Sequence, residues 1–448
     1  MSRRIYFDGL NLSLERGTGI ATYARQLARL VRELGYEVGV VYGSPTRPAK
    51  HKLMREISFF DNREAMPMTH REEVRNAVAD LLRMPFGVQP GAVDLTGAVI
   101  TDQFRERLPA HDHLYISRNL FANARRYFTW TGRFAELDFE TPPDILHCTY
   151  QLPLRVKRAC NVYTIHDLVP LRLPYTTLDN KRQTYRLLRK IAAEADHIVT
   201  VSENSKRDLV ELLGIPEERI TNTYEAVEFP SELLARSDDA IAEQLRSTYR
   251  LAMGDYLLFY GALEPKKNVA RLIEAYLLAA VDIPLVITGA GGWGNHEERR
   301  LIEELQQADR AGPTPAGAGS GDRTRTSERR RLYQFEYVSL PRLVTLIRGA
   351  RAVLFPSLYE GFGLPVLEAM LLGTPVVTSR VSSLPEVAGD AALYVDPYDL
   401  DDMARAIKAV CSDADLRRDL SERGRQQAQL FSPERYKERL AALYRRLG

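Results

Sequence analysis

Cysteine is scarce in this sequence: the 448 residues include only Cys148, Cys160 and Cys411. No two of them are close enough along the chain to form a CxxC pair, which argues against a disulfide framework and a zinc ribbon and is typical of a reducing cytoplasm. Long apolar runs are also missing, since no stretch approaches the roughly 18 to 20 apolar residues of a membrane-spanning helix. The N-terminus shows no apolar core of a signal peptide. We therefore expect a cytoplasmic protein.

An excess of one charge is absent as well. The chain has 61 Lys and Arg against 59 Asp and Glu, a formal net charge of +2. DNA binding depends mainly on neutralising phosphates with Lys and Arg, and no dominant basic block is present to do so. We therefore expect no nucleic-acid partner. The apolar share of 45% and the charged share of 27% are typical of a globular chain.

Short β-branched runs alternate with helical stretches, which predicts parallel α/β layers. Strand patterns such as Ile5–Phe7 and Ala352–Phe355 alternate with helical patterns such as Ile20–Leu34 and Val269–Ala279. The alternation occurs twice, so we predict two α/β domains. We expect the N-terminal domain over 1–230, with an insertion of helices and loops over about 45–140, and a polar linker over 231–254. The C-terminal domain is expected over 255–431, with a mobile Gly/Pro-rich loop over about 311–331. A C-terminal helix over 432–448 is expected to return to the N-terminal domain.

The segment Gly289–Gly294 has the pattern GxGxxG after a predicted strand, Pro284–Thr288. A dinucleotide-binding fold also needs an acidic residue about twenty positions further on, at the end of the next strand. Those positions fall in the Gly/Pro-rich segment around 311–317. A tight turn, or a glycine loop that touches another nucleotide, is therefore a better interpretation of Gly289 than a nicotinamide or flavin site.

Two carboxylates, Glu360 and Glu368, flank a Gly-Phe-Gly turn with seven residues between them. Pro365 suits the first turn of a helix. The open N-terminus of that helix is a natural phosphate site, formed by the backbone N–H groups of Phe362, Gly363 and Leu364. Glu368, more than one turn inside the helix, is placed to accept two hydroxyls of a ribose. The alternative is structural: Glu360 interacts with the helix dipole and Glu368 is an ordinary helical residue.

The run Ala352–Met370 resembles the E-x7-E block of the retaining nucleotide-sugar glycosyltransferases of family 4. Upstream, Gly261–Asn268 looks like the phosphate-binding loop of that family, and in the first half Gly17–Ile20 and Thr164–Asp167 are similar to landmarks of its N-terminal domain. The resemblance implies the GT-B fold, in which two Rossmann-like doubly wound α/β domains face each other across a cleft. Within the family, the chain most resembles bacterial mannosyltransferases of surface-polysaccharide assembly.

The resemblance also implies roles for individual residues. It implies that Glu360 contacts the donor hexose or the reacting centre, and that Glu368 holds the ribose. Lys266 and Lys267 would bind the diphosphate. The family often has Arg at the first of these two positions, and Lys lacks the bidentate guanidinium fork of Arg. The implied catalytic residues are Glu360, His166 and Lys267, and the implied donor-binding residues are Gly17, Gly19, Lys266, Lys267, Gly289, Phe362, Gly363, Leu364 and Glu368.

Some of these residues have structural alternatives. His166 would contact the donor sugar, and a buried, satisfied histidine is the competing interpretation. Gly17 and Gly19 would let the backbone approach the phosphates, or they form a plain loop. Asn268 is expected to cap the helix Val269–Ala279. The stretch Tyr224–Glu228 stands where the family commonly has Asn-Gly-Val-Asp, which indicates a different turn before the linker.

We therefore expect a retaining hexosyltransferase of polysaccharide biosynthesis, for O-antigen or exopolysaccharide, with mannose from GDP-mannose as first choice. UDP-sugars come second, and GDP-fucose and dTDP-deoxysugars stay open. We expect no cofactor and no metal, because no DxD-like element is visible and His111-Asp-His113 has no third ligand nearby. Lys266, Lys267 and the helix N-terminus would then carry the charge of the leaving group.

The acceptor is expected to be a saccharide or a lipid diphosphate. Arg125, Arg126, Tyr127, Phe128 and Trp130 combine basic and aromatic residues, which suits a lipid diphosphate and a peripheral contact with the inner membrane. A helix face that packs inside the protein is an equal alternative. Two other functions have weaker support. A hydrolase needs two carboxylates that flank the scissile bond from two sides, whereas Glu360 and Glu368 lie on one turn and its helix. The other is a non-catalytic nucleotide-binding protein of the same fold.

Overall fold

A computed structural model of the chain describes residues 2–13, 19–46, 48–61, 70–101, 108–289, 291, 292, 294, 296–311 and 331–448. Gly17 and residues 312–330 of the expected mobile loop lie outside the described residues. None of the helices among the described residues combines the length and the hydropathy of a membrane-spanning segment. The chain divides into two compact units: unit 1 comprises Met1–Leu168, Asn180–Glu225 and Glu434–Gly448, and unit 2 comprises Val169–Asp179 and Ala226–Pro433.

The strands of the described residues are numbered in chain order. They are β1 (Arg4–Asp8), β2 (Glu37–Ser44), β3 (Gly91–Val93), β4 (His113–Arg118), β5 (Ala135–Glu136), β6 (Ile145–Cys148), β7 (Leu154–Arg155), β8 (Cys160–Thr164), β9 (His197–Thr200), β10 (Ile220–Asn222), β11 (Leu257–Tyr260), β12 (Leu285–Thr288), β13 (Leu332–Phe335), β14 (Ala352–Phe355), β15 (Val376–Ser379) and β16 (Ala392–Val395).

The helices follow the same numbering. They are α1 (Gly19–Glu33), α2 (Lys52–Phe60), α3 (His70–Arg83), α4 (Leu120–Thr131), α5 (Val169–Arg172), α6 (Lys181–Glu194), α7 (Glu203–Leu213), α8 (Ser231–Leu234), α9 (Asp238–Gln244), α10 (Val269–Ala279), α11 (His296–Ala311), α12 (Leu340–Gly349), α13 (Leu364–Leu371), α14 (Leu384–Ala388), α15 (Leu400–Ser412), α16 (Ala414–Ala428) and α17 (Pro433–Arg446).

Unit 1 is built on an eight-stranded sheet. Its strand order is β10-β9-β8-β6-β1-β2-β4-β3, and the pairs are parallel except for β3 with β4. Every residue of β6 is buried, as expected for a parallel sheet covered on both faces. The strand order reverses between β1 and β6, and in such sheets ligands bind outside the carboxyl ends of the strands at the reversal.

Unit 2 has a six-stranded parallel sheet with the order β13-β12-β11-β14-β15-β16. This is the order of a Rossmann-type doubly wound sheet, with the reversal between β11 and β14. All four residues of each of β11, β12, β14 and β15 are buried. The loops after β11 and β14 therefore lie where the topology favours a ligand.

Three regions differ from the organisation expected from sequence. The range Val169–Asp179 lies within the expected N-terminal domain but groups with unit 2. The range 231–254 contains α8, α9 and a π-helical turn at Leu245–Tyr249, and it groups with unit 2. Ser237 begins α9 by accepting a hydrogen bond from the Ala240 N–H at 3.3 Å, so this polar stretch is ordered by capping. The range 45–140, where helices and loops were expected, also supplies β4, which pairs with β2 in the main sheet.

Candidate active site

The carboxyl ends of β11 and β12 lie in close contact through two glycines. Gly261 follows β11 and Gly289 follows β12, and a Cβ added to Gly289 would meet the Gly261 oxygen at 1.8 Å. The Gly289 N–H donates to the Phe335 oxygen of β13 at 2.9 Å. Gly289 is therefore needed for close backbone packing, as the tight-turn interpretation requires, and its contact with a donor stays a prediction.

Asn268 connects the loop after β11 to two neighbouring loops. Its backbone is left-handed, with φ of +61°, and its side-chain Nδ2 donates to the Pro356 oxygen at 3.1 Å and the Pro397 oxygen at 2.8 Å. The expectation that Asn268 caps α10 is wrong for the side chain: it occupies the N-cap position without making a capping hydrogen bond. The Lys266 oxygen also accepts from the Leu358 N–H at 2.8 Å.

These contacts bring Lys267 and Glu360 together at the strand-order reversal of unit 2. The Lys267 Nζ lies 2.6 Å from Glu360 Oε1, and the two side chains are only 12% and 9% exposed. The same Nζ lies 4.8 Å from the centre of the Phe355 ring, a cation–π contact. Sequence reasoning assigned both residues to the donor site, and the structure places them in direct contact.

Burial and the attraction between the two groups act in opposite directions on the pKa values of Lys267 and Glu360. Burial lowers the pKa of Lys267, and the negative charge of Glu360 opposes this effect. Burial also raises the pKa of Glu360, but the charges of Lys267 and Lys266 outweigh it, so the pKa of Glu360 is lowered. Glu360 is therefore a carboxylate at neutral pH. Lys266 is partly exposed and near enough to contribute to this effect.

Two serines that follow β15 hold the backbone of the Glu360 turn. The Glu360 N–H donates to Ser382 Oγ at 2.9 Å, and Ser383 Oγ donates to the oxygens of Glu360 at 3.0 Å and Phe362 at 2.6 Å. Sequence reasoning gave these serines no role. The available signal was their position directly after a buried strand that neighbours β14.

Helix α13 begins where the sequence predicts. Gly363 precedes it with φ of +123°, a backbone conformation that favours glycine. Phe362 is buried and packs edge-on against Phe431, with ring centres 5.5 Å apart. Pro365 lies in the first turn. The helix N-terminus therefore opens beside the Lys267–Glu360 pair, and phosphate binding stays a prediction for the N–H groups of Phe362, Gly363 and Leu364.

Glu368 lies one turn further along α13, beside Tyr260. The Tyr260 hydroxyl donates to the Pro365 oxygen at 2.6 Å and also interacts with the Glu368 carboxyl. Burial raises the pKa of Glu368 to about 7, and the hydrogen bond from Tyr260 opposes this rise. Glu360 and Glu368 thus differ in protonation near neutral pH, a pattern that occurs at functional sites.

His166 lies in unit 1, after β8. Its Nδ1 is 3.2 Å from Glu225 Oε1, and its Nε2 is 3.0 Å from the Thr149 oxygen. Tyr23 packs edge-on against the imidazole at 4.8 Å. Both ring nitrogens therefore have partners within unit 1, as in the alternative of a buried, satisfied histidine. The predicted contact of His166 with the donor sugar stays a prediction.

Two buried carboxyl residues of this cluster, Asp8 and Glu225, were missed from sequence. Asp8 ends β1 and accepts hydrogen bonds from the Thr149 N–H at 2.5 Å and Thr149 Oγ1 at 2.9 Å. Burial raises the pKa of Asp8. The sequence feature that could have indicated Asp8 is its position as an acidic residue at the end of a central strand. Glu225 lies in the stretch whose departure from the family pattern we interpreted only as a changed turn.

The remaining predicted residues lie as follows. Gly19 is the first residue of α1 and is exposed, and its phosphate contact stays a prediction, as does that of Gly17, which lies outside the described residues. On α4, Tyr127 and Phe128 are buried, whereas Trp130 is 71% exposed. Among the residues that the structure describes, no group of three or more His, Cys, Asp or Glu side chains forms a metal site.

Comparison with known proteins gives the family. Residues 330–427 match the family model described as "Glycosyl transferases group 1", and residues 98–228 match "Glycosyltransferase Family 4". The O-antigen chain mannosyltransferase B of Escherichia coli is 35% identical over 290 residues, which are 64% of this chain and 69% of that protein. The serotype-specific mannosyltransferase WbdA of Escherichia coli is 29% identical over 60% of this chain but only 31% of its own length.

A solved structure supports the fold. The Anabaena protein HepE in complex with UDP and glucose superposes with a TM-score of 0.62 at 14% identity, over 99% of both chains. At this identity the likeness concerns the fold alone, and it agrees with the two Rossmann-like parallel sheets. The expected GT-B fold is confirmed. The chain therefore belongs to the group 1 glycosyltransferases of family 4, and it is a glycosyltransferase.

Proposed function

We propose that this glycosyltransferase moves mannose from GDP-mannose to a saccharide or lipid-diphosphate acceptor in the assembly of a surface polysaccharide, an O-antigen or an exopolysaccharide, with retention of the anomeric configuration. The names of its O-antigen mannosyltransferase relatives support the sugar and the pathway. The observation that carries the site is the buried Lys267–Glu360 ion pair beside the N-terminus of α13.

In this proposal the diphosphate of the donor binds Lys266, Lys267 and the N–H groups that begin α13. When the sugar leaves, negative charge develops on the diphosphate, and the two lysines stabilise it where it forms. One preorganised donor of this kind typically contributes about 3 kcal/mol to lowering the barrier. The residues supply the charge that a metal supplies elsewhere, so we propose a reaction without a metal or a cofactor.

Glu360 is proposed to contact the mannose and Glu368 the ribose. Lys267 keeps Glu360 ionised, so the carboxylate accepts hydrogen bonds from sugar hydroxyls. Retention follows if a phosphate oxygen of the donor takes the proton of the acceptor hydroxyl. The bond from the anomeric carbon to the phosphate oxygen breaks, and the new bond to the acceptor oxygen forms on the same face. Neither Glu360 nor Glu368 then needs to form a covalent intermediate.

A donor panel tests this function. Purified protein is incubated with polyprenyl-diphosphate saccharides and labelled GDP-mannose, GDP-fucose, UDP-glucose or a dTDP-deoxysugar, and the anomeric configuration of the product is read by NMR. We expect transfer from GDP-mannose and an α-linkage. Preference for a UDP-sugar, an inverted product or a mannosyl–protein adduct in mass spectra would contradict the proposal.

A substitution of Glu360 tests whether transfer activity depends on the Lys267–Glu360 ion pair. Glu360→Gln should lower kcat by about a hundredfold, the size of effect seen when one preorganised polar group is lost. Glu422→Gln is a matched control, since Glu422 is an exposed residue of α16, and it should leave transfer unchanged. Full activity of Glu360→Gln would remove Glu360 from the proposed site.

The membrane contact is also a proposal, for a protein placed at the cytoplasmic face of the inner membrane. Arg125 and Arg126 are exposed on α4, on the same helix as the exposed Trp130. Such a combination binds anionic lipid surfaces. The protein should float with vesicles that contain phosphatidylglycerol, and the triple replacement of these residues by alanine should reduce flotation. Equal flotation of the triple variant would contradict this contact.

A further inference from the structure

A chain of hydrogen bonds in unit 1 starts at the strand-order reversal between β1 and β6 and ends on His166, which follows β8. Asp8 accepts two hydrogen bonds from Thr149 and so fixes that residue. The Thr149 oxygen faces His166 Nε2 at 3.0 Å, and Glu225 Oε1 faces His166 Nδ1 at 3.2 Å. Asp8, Glu225 and His166 are all less than a tenth exposed, so water does not replace these partners.

The acceptors around the ring determine where its protons are. A backbone carbonyl oxygen only accepts hydrogen bonds, so Nε2 must carry a hydrogen to bond Thr149. The contact between Nδ1 and the Glu225 carboxyl group then requires one further proton between them. A neutral imidazole whose only hydrogen is on Nε2 would place a lone pair against a carboxylate, which is repulsive.

We propose that Glu225 is a positioning residue that keeps both ring nitrogens of His166 protonated, so that His166 acts in the transfer reaction as a fixed cation and not as its general base. A doubly protonated ring has no lone pair with which to take the proton of the acceptor hydroxyl. The mechanistic part of this inference rests on the proposed function, in which a donor phosphate oxygen takes that proton. The protonation state of the ring does not depend on it.

The electrostatic surroundings support a cationic ring. Burial lowers the pKa of His166, but the hydrogen bond and the charge of Glu225 outweigh it, and the pKa is raised. The titratable or charged groups that surround the pair come from several elements: Asp167 beside the histidine, Asp8 of β1, Tyr23 of α1, His147 of β6, and Tyr436 and Arg439 of α17.

His147 provides an internal contrast. It is also fully buried, but its ring nitrogens face hydroxyl groups: Tyr444 OH at 2.6 Å and Thr164 Oγ1 at 2.8 Å. A hydroxyl can donate or accept, so a neutral ring satisfies both contacts. Burial lowers the pKa of His147 to about 3. Two buried histidines of one unit should therefore differ in charge because their partners differ.

The local sequence directs Glu225 to the ring. Tyr224 has a left-handed backbone, with φ of +58°, and its N–H donates to Asn222 Oδ1 at 2.8 Å. The Arg439 guanidinium lies over the Tyr224 ring at 4.7 Å. The aromatic ring thus turns towards α17 and the next side chain, Glu225, turns inwards. The departure of Tyr224–Glu228 from the family pattern is what supplies this carboxyl group.

The first test reads the protonation state directly, in the full-length protein labelled with [15N]histidine. Long-range 1H–15N spectra at pH 7.5 distinguish protonated from unprotonated ring nitrogens, and His166→Gln identifies the signals by their loss. We expect two protonated nitrogens for His166 and one for His147. An unprotonated Nδ1 of His166 at this pH would overturn the proposal. The readout needs no substrate, so it stands apart from any failure of the proposed donor.

The second test uses Glu225→Gln, which keeps the shape of the side chain. The amide of the substituted side chain donates to Nδ1 while Nε2–H stays on Thr149, so the ring becomes neutral in the same position. Loss of an adjacent opposite charge should lower the pKa of His166 by about one to three units. Because the cation is lost as pH rises through its pKa, the alkaline limb of kcat/KM should move to lower pH by the same amount.

If His166 were the general base, lowering its pKa would extend activity to lower pH. That result for Glu225→Gln would overturn the proposal. The profile is recorded with whichever donor the panel selects. Glu218→Gln is the matched control, because Glu218 is an exposed residue of unit 1, and its profile should equal that of the wild type. An unchanged profile for Glu225→Gln would also contradict the role of Glu225.

Discussion

Single residues of the candidate site show how neighbours determine charge. Glu360 and Glu368 belong to one segment, yet the pKa of Glu360 is lowered and that of Glu368 is raised to about 7. Burial raises the pKa of both carboxyls, and the difference arises because the Lys267 ammonium lies 2.6 Å from the Glu360 carboxylate and lowers its pKa. One carboxylate is therefore fixed in its charge, whereas the other titrates near physiological pH.

The raised pKa of Glu368 predicts a pH-dependent nucleotide affinity. A carboxylate accepts two ribose hydroxyls, whereas its protonated form accepts less well. With a pKa of about 7, the ionised fraction of Glu368 rises about tenfold from pH 6 to pH 8. The dissociation constant of GDP, measured by calorimetry, should decrease over this range. Glu368→Gln removes the contribution of Glu368, so a pH dependence of equal size in that variant would contradict the assignment.

The raised pKa of Glu368 also makes the stability of the folded protein depend on pH. The folded state favours protonated Glu368, so this group contributes stability that is present below its ordinary pKa and is lost as pH rises towards 7. Glu368→Gln should therefore have a higher Tm than the wild type at pH 8, with the difference shrinking at pH 4.5. A lower Tm of the variant at pH 8 would show that the carboxylate is stabilised in the folded protein.

At the residue scale, the sequence predicted those site residues that belong to a contiguous motif. Glu360, Glu368 and Lys267 were selected because their spacing and neighbours match a known block, and the fold brings Lys267 to Glu360. Asp8 and Glu225 were not selected, since each acquires meaning only from a partner far along the chain. Thr149 lies 141 residues from Asp8, and no local pattern encodes such a pairing.

At the element scale, close packing of β11 against β12 depends on a missing side chain. Gly289→Ala should destabilise unit 2 because its Cβ would fall 1.8 Å from the Gly261 oxygen. Overpacking of this kind typically costs about 1 to 3 kcal/mol. Gly254→Ala is the control: Gly254 has a positive φ of +73° but open space around its Cβ. Denaturant unfolding should show a larger loss for Gly289→Ala, and equal losses would contradict the packing argument.

Elements with a clear periodicity were predicted well. The predicted strand Ala352–Phe355 and helix Val269–Ala279 have the same bounds in the structure. The polar range 231–254 was interpreted as a linker, because short capped helices such as α9 present little apolar periodicity. Strand β4 was missed because it lies in an Arg- and aromatic-rich region, where its apolar residues did not stand out.

At the scale of the whole molecule, the end of the chain contributes to the core of unit 1. Tyr444 of α17 is fully buried and its hydroxyl lies 2.6 Å from His147 Nδ1. Tyr444→Phe should leave that nitrogen unsatisfied, at a typical cost of about 1 to 3 kcal/mol. Tyr185→Phe is the control, since Tyr185 is 45% exposed. Thermal unfolding should show a clear loss for Tyr444→Phe alone, and no loss would contradict the hydrogen bond.

The division into two α/β units could be predicted from the repeated alternation of strands and helices. The strand orders could not, because β1 pairs with β6 through residues 140 positions apart, and β11 pairs with β14 through residues 95 positions apart. The order places the loops after β11 and β14 side by side, and this turns separate motifs into one candidate donor site.

The central claim is that Lys267, which pairs with Glu360, binds the donor diphosphate. The most direct test is the dissociation constant of GDP-mannose for wild type, Lys267→Met and the exposed-residue control Lys408→Met, with circular dichroism to verify folding. Loss of one partner of a buried charge pair typically costs about 2 to 5 kcal/mol, so Lys267→Met should bind about a hundredfold more weakly. Lys408→Met should bind as the wild type does. Wild-type affinity of folded Lys267→Met would contradict the account.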